Sequence, residues 1–172
     1  QPEEELKNMI TNTGANILDL SMDAPVLLVF LRHFGCIFCR EALSDISNQK
    51  QYLEDKGTKI VFVHMSDIEL AERYFSRYEL SGVEHISDPD CRLYRTFGLA
   101  KGSFTQLFGL SVWMRGFQAG VVKGHGIGNQ LGDGFQMPGV FVIQSGQIKD
   151  QYIHKLSSDR PDYRQLVDCC SV

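Results

Sequence analysis

The sequence lacks the long hydrophobic run that a membrane span requires. Hydrophobic residues make up 43% of its 172 positions, yet no apolar run approaches the length of about 18 residues that crosses a bilayer. The N-terminus also lacks the basic and then apolar segments of a signal peptide. The chain begins with Gln1 rather than Met, however, so the possibility of a removed leader stays open. We expect no membrane partner.

Basic residues are too few to indicate a protein that binds nucleic acid. Seventeen lysines and arginines stand against 21 acidic residues, and the pI is near 5.7. Nucleic-acid-binding domains usually carry a basic excess, so we expect no nucleic-acid partner. The length and hydrophobic content suit one compact domain over residues 1–172, with a core large enough to fold without disulfides.

Cysteine is sparse and odd in number, with Cys36, Cys39, Cys91, Cys169 and Cys170. An odd number cannot pair completely within one chain, which is typical of a reduced, intracellular protein, and we expect a cytoplasmic one. Cys91 lies in a helical pattern and is expected to be a buried thiol. Cys169 and Cys170 are expected to be frayed and exposed, with a resolving or intermolecular role as a minor alternative.

Two of these cysteines form a C-x-x-C motif at a predicted strand-to-helix junction. The motif Gly35-Cys36-Ile37-Phe38-Cys39-Arg40 follows the apolar run Val26–Leu31. Unpaired N–H groups and the helix dipole at such a junction favour a thiolate over a thiol. With two residues between the sulfurs, the second thiol can displace the first from a mixed disulfide. The motif therefore predicts a reversible Cys36–Cys39 disulfide and thiol–disulfide exchange.

Other interpretations of the motif and of the glycine-rich segment are weaker. A structural disulfide across so short a loop would remove only about 2 kcal/mol of unfolded-state entropy. A zinc site would need two more ligands, and the sequence has no second C-x-x-C and no H-x-x-x-H at finger-like spacing. Gly124-x-Gly126-x-Gly128 lacks the spacing of a dinucleotide-binding loop. We therefore expect neither a metal nor a cofactor.

The order of predicted elements is that of an α/β protein. Val26–Arg32 is apolar without alternation, which indicates burial on both faces of a parallel or mixed sheet. Residues 99–137 predict a helical insertion and then an ordered glycine-rich loop. The other predicted strands are Ile17–Leu20 at an edge, Lys59–His64, one beginning at Glu84, Val140–Ile143 and Gln147–His154. The predicted helices are Glu3–Ile10, Cys36–Lys56, one capped by Ser66 or Asp67, Cys91–Phe97 and one with Pro161 in its first turn.

Four segments together resemble a known group. These segments are Arg32–Glu41, Leu110–Trp113, Gly128–Phe135 and Gly139–Val142. Through them the chain resembles the peroxiredoxin-like 2 group (selenoprotein L-like) of the AhpC/TSA, thioredoxin-like superfamily. This resemblance implies a thioredoxin-like fold, a central mixed sheet flanked by helices, with the insertion placed before a strand led by a cis-proline.

The resemblance also implies an activity. Members of this group are thiol-dependent oxidoreductases, so we expect a dithiol that reduces a peroxide, an endoperoxide or a disulfide. A thioredoxin- or glutathione-type reductant would regenerate it. The alternative is a redox-inert thioredoxin-fold interaction domain, in which Trp113 and the glycine-rich insertion would form a partner-binding surface.

The motif departs from ordinary peroxiredoxins in ways that affect mechanism. Their T-x-x-C aligns its Thr with Cys36 and its attacking Cys with Cys39, and their peroxide-binding Arg is replaced here by Pro138, as in thioredoxins. The buried acid of thioredoxins is replaced by an apolar residue near Phe30. Proton transfer would then use His33 or Glu41.

The expected catalytic residues are Cys36, Cys39, Pro138, His33 and Arg40. Arg32 and Arg40 flank the motif and would favour a thiolate if they lie near it, although ordinary surface charge explains them equally well. We expect Cys36 to attack and the more covered Cys39 to resolve. The alignment with peroxiredoxins argues for the reverse. The Met137–Pro138 bond is expected to be cis.

Overall fold

A five-stranded mixed sheet forms the centre of the protein. In this computed structural model, residues 1–102, 115 and 135–170 are described. The strands, in chain order, are β1 (Val26–Phe30), β2 (Lys59–His64), β3 (Glu84–Ser87), β4 (Gly139–Gln144) and β5 (Gln147–Ile153). They lie side by side in the order β3-β2-β1-β4-β5. β1, β2 and β3 are parallel, while β4 runs antiparallel to both β1 and β5.

Helices cover both faces of this sheet. None of those that the structure describes is long and apolar enough to cross a bilayer. The helices are α1 (Pro2–Glu5), a 3₁₀ helix (Leu6–Asn8), α2 (Ile17–Asp23), α3 (Ile37–Asp55), α4 (Ile68–Arg77), α5 (Arg92–Thr96) and α6 (Tyr163–Asp168).

The apolar side chains of β1 divide between two cores. Leu27 and Val29 belong to the cluster that includes residues of α3, α4 and α6. Val26, Leu28 and Phe30 belong to the cluster that includes residues of α2 and α5. All five are buried. The burial of all five side chains confirms the prediction, made from the unalternating sequence, that both faces of β1 are covered. α3 follows β1 in the chain, so its first turn lies near the C-terminal end of this central strand.

Local sequence explains where α3 and α4 begin and end. Asp67 precedes α4 and accepts a hydrogen bond from the backbone N–H of Leu70, so the predicted cap is confirmed. Gly57 follows α3 with a φ of +78°, a left-handed conformation that glycine adopts without a steric penalty. α3 itself begins directly after Cys36, which puts the motif at the helix N-terminus as predicted.

The predicted edge strand Ile17–Leu20 is wrong. This segment is helical and forms the first turns of α2. The Asn16 side chain accepts a hydrogen bond from the Asp19 N–H at 2.8 Å and so caps the helix. Ile17 and Leu20 of α2 are buried. Their spacing of three residues places them on one face of a helix, although the same short apolar run also fits a strand.

Both terminal helices begin or end differently from the prediction. The first helical segment stops at Asn8, and Ile10 instead forms an isolated β-bridge with Asn16. Pro161 lies just before the cap of α6 rather than in its first turn. Asp162 is that cap, and its side chain accepts from the Gln165 N–H at 3.1 Å. A capping carboxylate therefore decides the start of α6.

The predicted cis bond before Pro138 is also wrong, because the Met137–Pro138 peptide is trans. The Met137 N–H donates to Ala100 O at 3.2 Å, so the backbone before the proline is already paired with the chain that leaves α5. Trans is also the lower-energy isomer of an X–Pro bond, by about 0.5–1 kcal/mol.

Most of the predicted insertion over residues 99–137 lies outside the described residues. Residues 103–114 and 116–134 lie outside the described part of the chain. Trp113 and the glycine-rich segment, on which the predicted interaction surface depended, are among them.

Candidate functional site: a buried dithiol at a helix N-terminus

Cys36 lies at the mouth of α3. It is the N-cap residue, with an extended backbone, and its own N–H donates to His33 O at 3.0 Å in the tight turn that joins β1 to the helix. The side chain is 9% exposed. The first helical N–H groups point toward this position, and the helix dipole favours negative charge there. The local geometry therefore suits a thiolate.

A buried arginine contacts the Cys36 sulfur directly. Arg32 Nη1 donates to Cys36 Sγ at 3.0 Å, and both side chains are buried. A charged donor makes a stronger hydrogen bond to a thiolate than to a thiol, and it does so most effectively where water is excluded. Because Arg32 is buried against Cys36, ordinary surface charge does not explain its presence.

A second hydrogen bond orients this arginine. Arg32 Nε donates to the backbone oxygen of Gln136 at 3.3 Å. The buried Gln136 amide in turn donates to Leu99 O at 2.9 Å and to Ala100 O and Met137 O at 3.3 Å each. Gln136 therefore ties the chain leaving α5 to the chain entering β4, and it presents its carbonyl to the guanidinium. No motif in the sequence indicates this role, since Gln136 lies 104 positions from Arg32.

Cys39 lies one turn into α3 and is more covered. Its side chain is 3% exposed. Burial raises the pKa of its thiol well above the ordinary value, and negative charge on Cys36 raises it further, whereas Arg32 and Arg40 act in the opposite direction. Cys39 is therefore protonated at neutral pH. The exposed fraction of the second cysteine is thus smaller than the 9% of Cys36, as predicted.

A narrow cleft reaches Cys39 between β1, α3 and the chain that leads into α6. Pro138 lines it, so the structure does bring Pro138 and Cys39 together, as predicted, with a trans peptide. Apolar residues and several polar ones share the wall, among them Phe38, Ala42, Glu41, Asp45, His154, Arg160 and Tyr163.

Glu41 is held by two arginines at the wall of the cleft. It is buried, ion-paired with Arg115, and 3.5 Å from Arg160 Nε. Arg160 also donates two hydrogen bonds to Asp45, at 2.6 and 3.0 Å. Arg160 therefore joins the two carboxylates of this wall.

His154 is a polar wall residue that the sequence did not indicate. Burial lowers its pKa to about 4, against opposing effects of Asp159, so the ring is neutral at pH 7. Among the described residues, its Nδ1 is one of two buried side-chain atoms without a hydrogen-bond partner. His154 is therefore a neutral side chain at the wall of the cleft that Cys39 also lines.

The other two predicted site residues support the loop before α3. Arg40 Nε donates to Phe34 O at 3.0 Å, and its guanidinium lies 5.6 Å from the Tyr74 ring centre. Phe34 stacks on Tyr74 with ring centres 4.9 Å apart. Arg40 thus braces the turn between β1 and α3. His33 is buried, and its backbone oxygen accepts from the Cys36 N–H.

All five cysteines are thiols. Cys91 is buried, as predicted, and precedes α5. Cys169 is exposed, but the expectation that Cys170 is exposed is wrong, because Leu166, Val167 and Tyr163 share its apolar cluster. No group of three or more His, Cys, Asp or Glu side chains that could hold a metal ion occurs in the described ranges.

The chain is similar to curated proteins of three names. It is 24% identical to the chloroplastic thioredoxin-like protein AAED1 of Arabidopsis thaliana, over 90% of this chain and 65% of that protein. It is 26% identical to prostamide/prostaglandin F synthase of Bos taurus, over 94% of this chain and 80% of that protein. Human peroxiredoxin-like 2A is 31% identical over 70% of this chain and 51% of its own length. The chain thus spans about two thirds of the first of these relatives and half of the third.

Solved structures share the thioredoxin fold. A yeast mitochondrial 1-Cys peroxiredoxin superposes with a TM-score of 0.61 at 15% identity, covering 92% of this chain and 68% of that one. A thiol:disulfide interchange protein DsbE from Chlorobium tepidum superposes with a TM-score of 0.58 at 17% identity, covering 94% and 90%. Both confirm the predicted fold class.

A family model described as AhpC/TSA antioxidant enzyme matches residues 45–156, which is more than half of the chain. The matched segment begins after Cys36 and Cys39, so it supports the body of the fold independently of the motif. The two observations, a matching body and a dithiol at the start of α3, agree with the resemblance that the sequence suggested. The chain belongs to the AhpC/TSA antioxidant enzyme family, in its peroxiredoxin-like, thioredoxin-superfamily group.

Proposed function

We propose that this protein is a thiol-dependent oxidoreductase in which the Cys36–Cys39 dithiol reduces a peroxide, an endoperoxide or a disulfide. An external dithiol or monothiol donor, of the thioredoxin or glutathione type, returns it to the reduced state. The family supports peroxidase-type redox chemistry in general. The use of this particular cysteine pair is our inference from the site.

One observation carries the proposal, namely the 3.0 Å contact from Arg32 Nη1 to Cys36 Sγ at the N-terminus of α3. A thiolate is the nucleophile in reactions with peroxides and disulfides. The guanidinium and the helix N-terminus both favour negative charge on this sulfur. Within the described residues, Cys39 accepts no hydrogen bond from a guanidinium, and burial keeps its thiol protonated.

The first step is attack by Cys36. With a hydroperoxide, the Cys36 thiolate bonds to one peroxide oxygen and the O–O bond breaks. The sulfur becomes a sulfenic acid, and the other oxygen leaves as an alcohol once it takes up a proton. His33 is the proposed proton donor, since it is buried in the turn that also holds Cys36.

The second step is resolution by Cys39. Its sulfur bonds to the Cys36 sulfur, the S–O bond breaks, and the thiol proton leaves with the hydroxyl group as water. The resulting Cys36–Cys39 disulfide takes two electrons from the donor and returns to two thiols. Pro138 borders Cys39 along the cleft, and Arg40 braces the preceding turn through Phe34 O.

Substrate class and location extend this proposal. The bovine relative is named a prostamide/prostaglandin F synthase, which keeps an endoperoxide among the candidate substrates. The odd number of cysteines in this chain leads us to propose a reducing compartment such as the cytoplasm. The Arabidopsis relative is described as chloroplastic. We also propose that the catalytic unit is a single thioredoxin-like domain over residues 1–172.

Turnover assays test the proposal directly. The protein is incubated with hydrogen peroxide, an alkyl hydroperoxide, a prostaglandin endoperoxide or a small disulfide, each with thioredoxin, glutathione or glutaredoxin as donor. We expect consumption of at least one substrate, its loss in Cys36→Ser, and its retention in the control Cys91→Ser. A folded protein that turns over none of these pairs would instead be the redox-inert interaction domain.

A further inference from the structure

Cys169 and Cys170 are adjacent thiols that the proposed reaction does not use. Their sulfurs lie 3.0 Å apart at the end of α6. Cys169 is exposed, whereas Cys170 is buried. A small molecule that arrives from solvent therefore meets one sulfur at the surface and a second directly behind it.

The inner sulfur is held in place by its surroundings. Cys170 packs in the same apolar cluster as Leu166 and Val167, and its N–H donates to Val167 O at 3.1 Å. The pair is thus anchored on one side by the core and open on the other. This distinguishes it from two thiols on a freely moving segment.

Two properties make this pair a poor second redox couple. Partial burial, together with the hydrogen bond to Cys170, raises the pKa of the Cys169 thiol to about 12, so it is not a thiolate at neutral pH. In addition, neighbouring Cα atoms are about 3.8 Å apart across a trans peptide, which is shorter than the usual disulfide range of about 4.4–6.8 Å. An atom inserted between the sulfurs would relieve that constraint.

We propose that Cys169 and Cys170 form a binding site for a soft, thiophilic element of low coordination number, with a trivalent arsenical as the ligand class. Sulfur ligands select soft ions. Zinc would need two further protein ligands, and the described residues offer no cluster of three or more candidate ligand side chains. An organic arsenical needs only two sulfurs, because its third bond is to carbon. This proposal goes beyond the oxidoreductase function and does not depend on it.

The binding step involves no change in oxidation state. With phenylarsine oxide, two As–S bonds form and the arsenic–oxygen bond breaks. Both thiol protons leave with that oxygen as one water molecule. No electron donor or acceptor is needed, so the reaction can proceed in the presence of a phosphine reductant.

The test must first remove the other dithiol, since Cys36 and Cys39 would also take an arsenical. The double variant Cys36→Ser/Cys39→Ser is treated with phenylarsine oxide under a phosphine reductant, and intact masses are recorded. We expect one adduct per chain, released by a small dithiol and not by an equal concentration of a monothiol. Adding Cys169→Ser should abolish the adduct, whereas adding Cys91→Ser, as the matched control, should leave it.

Two results would overturn the site: no adduct on the double variant, or an adduct that survives Cys169→Ser. If the variants do not fold, the reduced wild-type protein is treated with phenylarsine oxide and then with a maleimide, and its peptides are mapped. Protection of both Cys169 and Cys170 supports the proposal, and alkylation of both at the untreated rate contradicts it. Turnover by Cys36 is measured separately, so failure of either proposal is distinguishable.

Discussion

At the scale of single residues, two hydrogen bonds fix the guanidinium of Arg32, one to Cys36 Sγ at 3.0 Å and one to Gln136 O at 3.3 Å. Hydrogen bonds to charged groups contribute about 1.5–3 kcal/mol. If the thiolate of Cys36 depends on its hydrogen bond from Arg32, removing that hydrogen bond should lower the reactivity of Cys36 and leave the protein folded.

We expect Arg32→Met to slow the reaction of Cys36 with iodoacetamide at pH 7 by about 10-fold to 100-fold, the range that corresponds to the loss of such a hydrogen bond. The rate is measured by peptide mass spectrometry at Cys36. The control is Arg73→Met, which removes an exposed arginine paired with Glu69 on α4. An unchanged rate in Arg32→Met would show that the contact does not set the reactivity of Cys36.

At the scale of elements, the site depends on a junction between two distant segments. The chain leaving α5 and the chain entering β4 are joined by the Gln136 amide and by the Met137 N–H bond to Ala100 O. The Gln136 carbonyl then reaches Arg32. Disturbing this junction should therefore affect both stability and the orientation of the guanidinium.

Replacing Gln136 with Leu leaves the buried oxygen of Leu99 without the donor that lies 2.9 Å from it. An unsatisfied buried acceptor costs about 1–3 kcal/mol. We expect Gln136→Leu to lower the free energy of unfolding in urea by that amount and to speed hydrogen exchange at Met137. Gln151→Ala, on the exposed side of β5, is the control. Equal stability of both variants would refute the role of the amide.

The elements themselves were largely predictable. β1, β2, β4 and α3 followed from unalternating apolar runs and from a helical pattern ended by Gly57, because burial dominates in these segments. α2 was not predictable in this way, since a short apolar run fits the period of a helix as well as that of a strand. The capping hydrogen bond of Asn16 favours the helix. A single capping hydrogen bond contributes little energy, and a prediction made from the hydrophobic pattern alone does not take it into account.

The candidate site was predictable only in its local half. Cys36, Cys39 and Arg40 are neighbours in sequence, so their motif could be read directly. Gln136 and His154 come from distant segments and have no motif. Gln136 reaches Arg32, and His154 lines the cleft with Cys39, because β4 pairs with β1 and β5, and residue spacing does not reveal this pairing.

At the scale of the whole molecule, buried neutral histidines make the free energy of unfolding depend on pH. His64 Nε2 and His85 Nδ1 are 2.8 Å apart, and burial, reinforced by His85, lowers the pKa of His64 to about 3. Ser66 N–H donates to His64 Nδ1, so His64 carries its proton on Nε2 and donates it to His85. His154 is neutral for a similar reason, with a pKa of about 4.

These histidines predict the sign of the pH dependence. An unfolded histidine has a pKa of about 6.5, so between that value and about 3 the unfolded state binds more protons than the folded one. Stability should therefore fall as the pH falls below about 6.5, by about 1.4 kcal/mol per pH unit for each such histidine. Urea unfolding from pH 7 to 4 measures this slope, and His154→Gln should reduce it. A stability that rises on acidification over this range would contradict the assignment of neutral rings.

Trapping the first oxidation product shows which of the two sulfurs attacks. Cys39→Ser and Cys36→Ser are each treated with hydrogen peroxide and a sulfenic-acid reagent, and the adducts are located by mass spectrometry. We expect a sulfenic acid at Cys36 in Cys39→Ser and no reaction in Cys36→Ser, with a Cys36–Cys39 disulfide in the wild-type protein. A sulfenic acid at Cys39 in Cys36→Ser, together with an unreactive Cys39→Ser, would show that Cys39 attacks and Cys36 resolves.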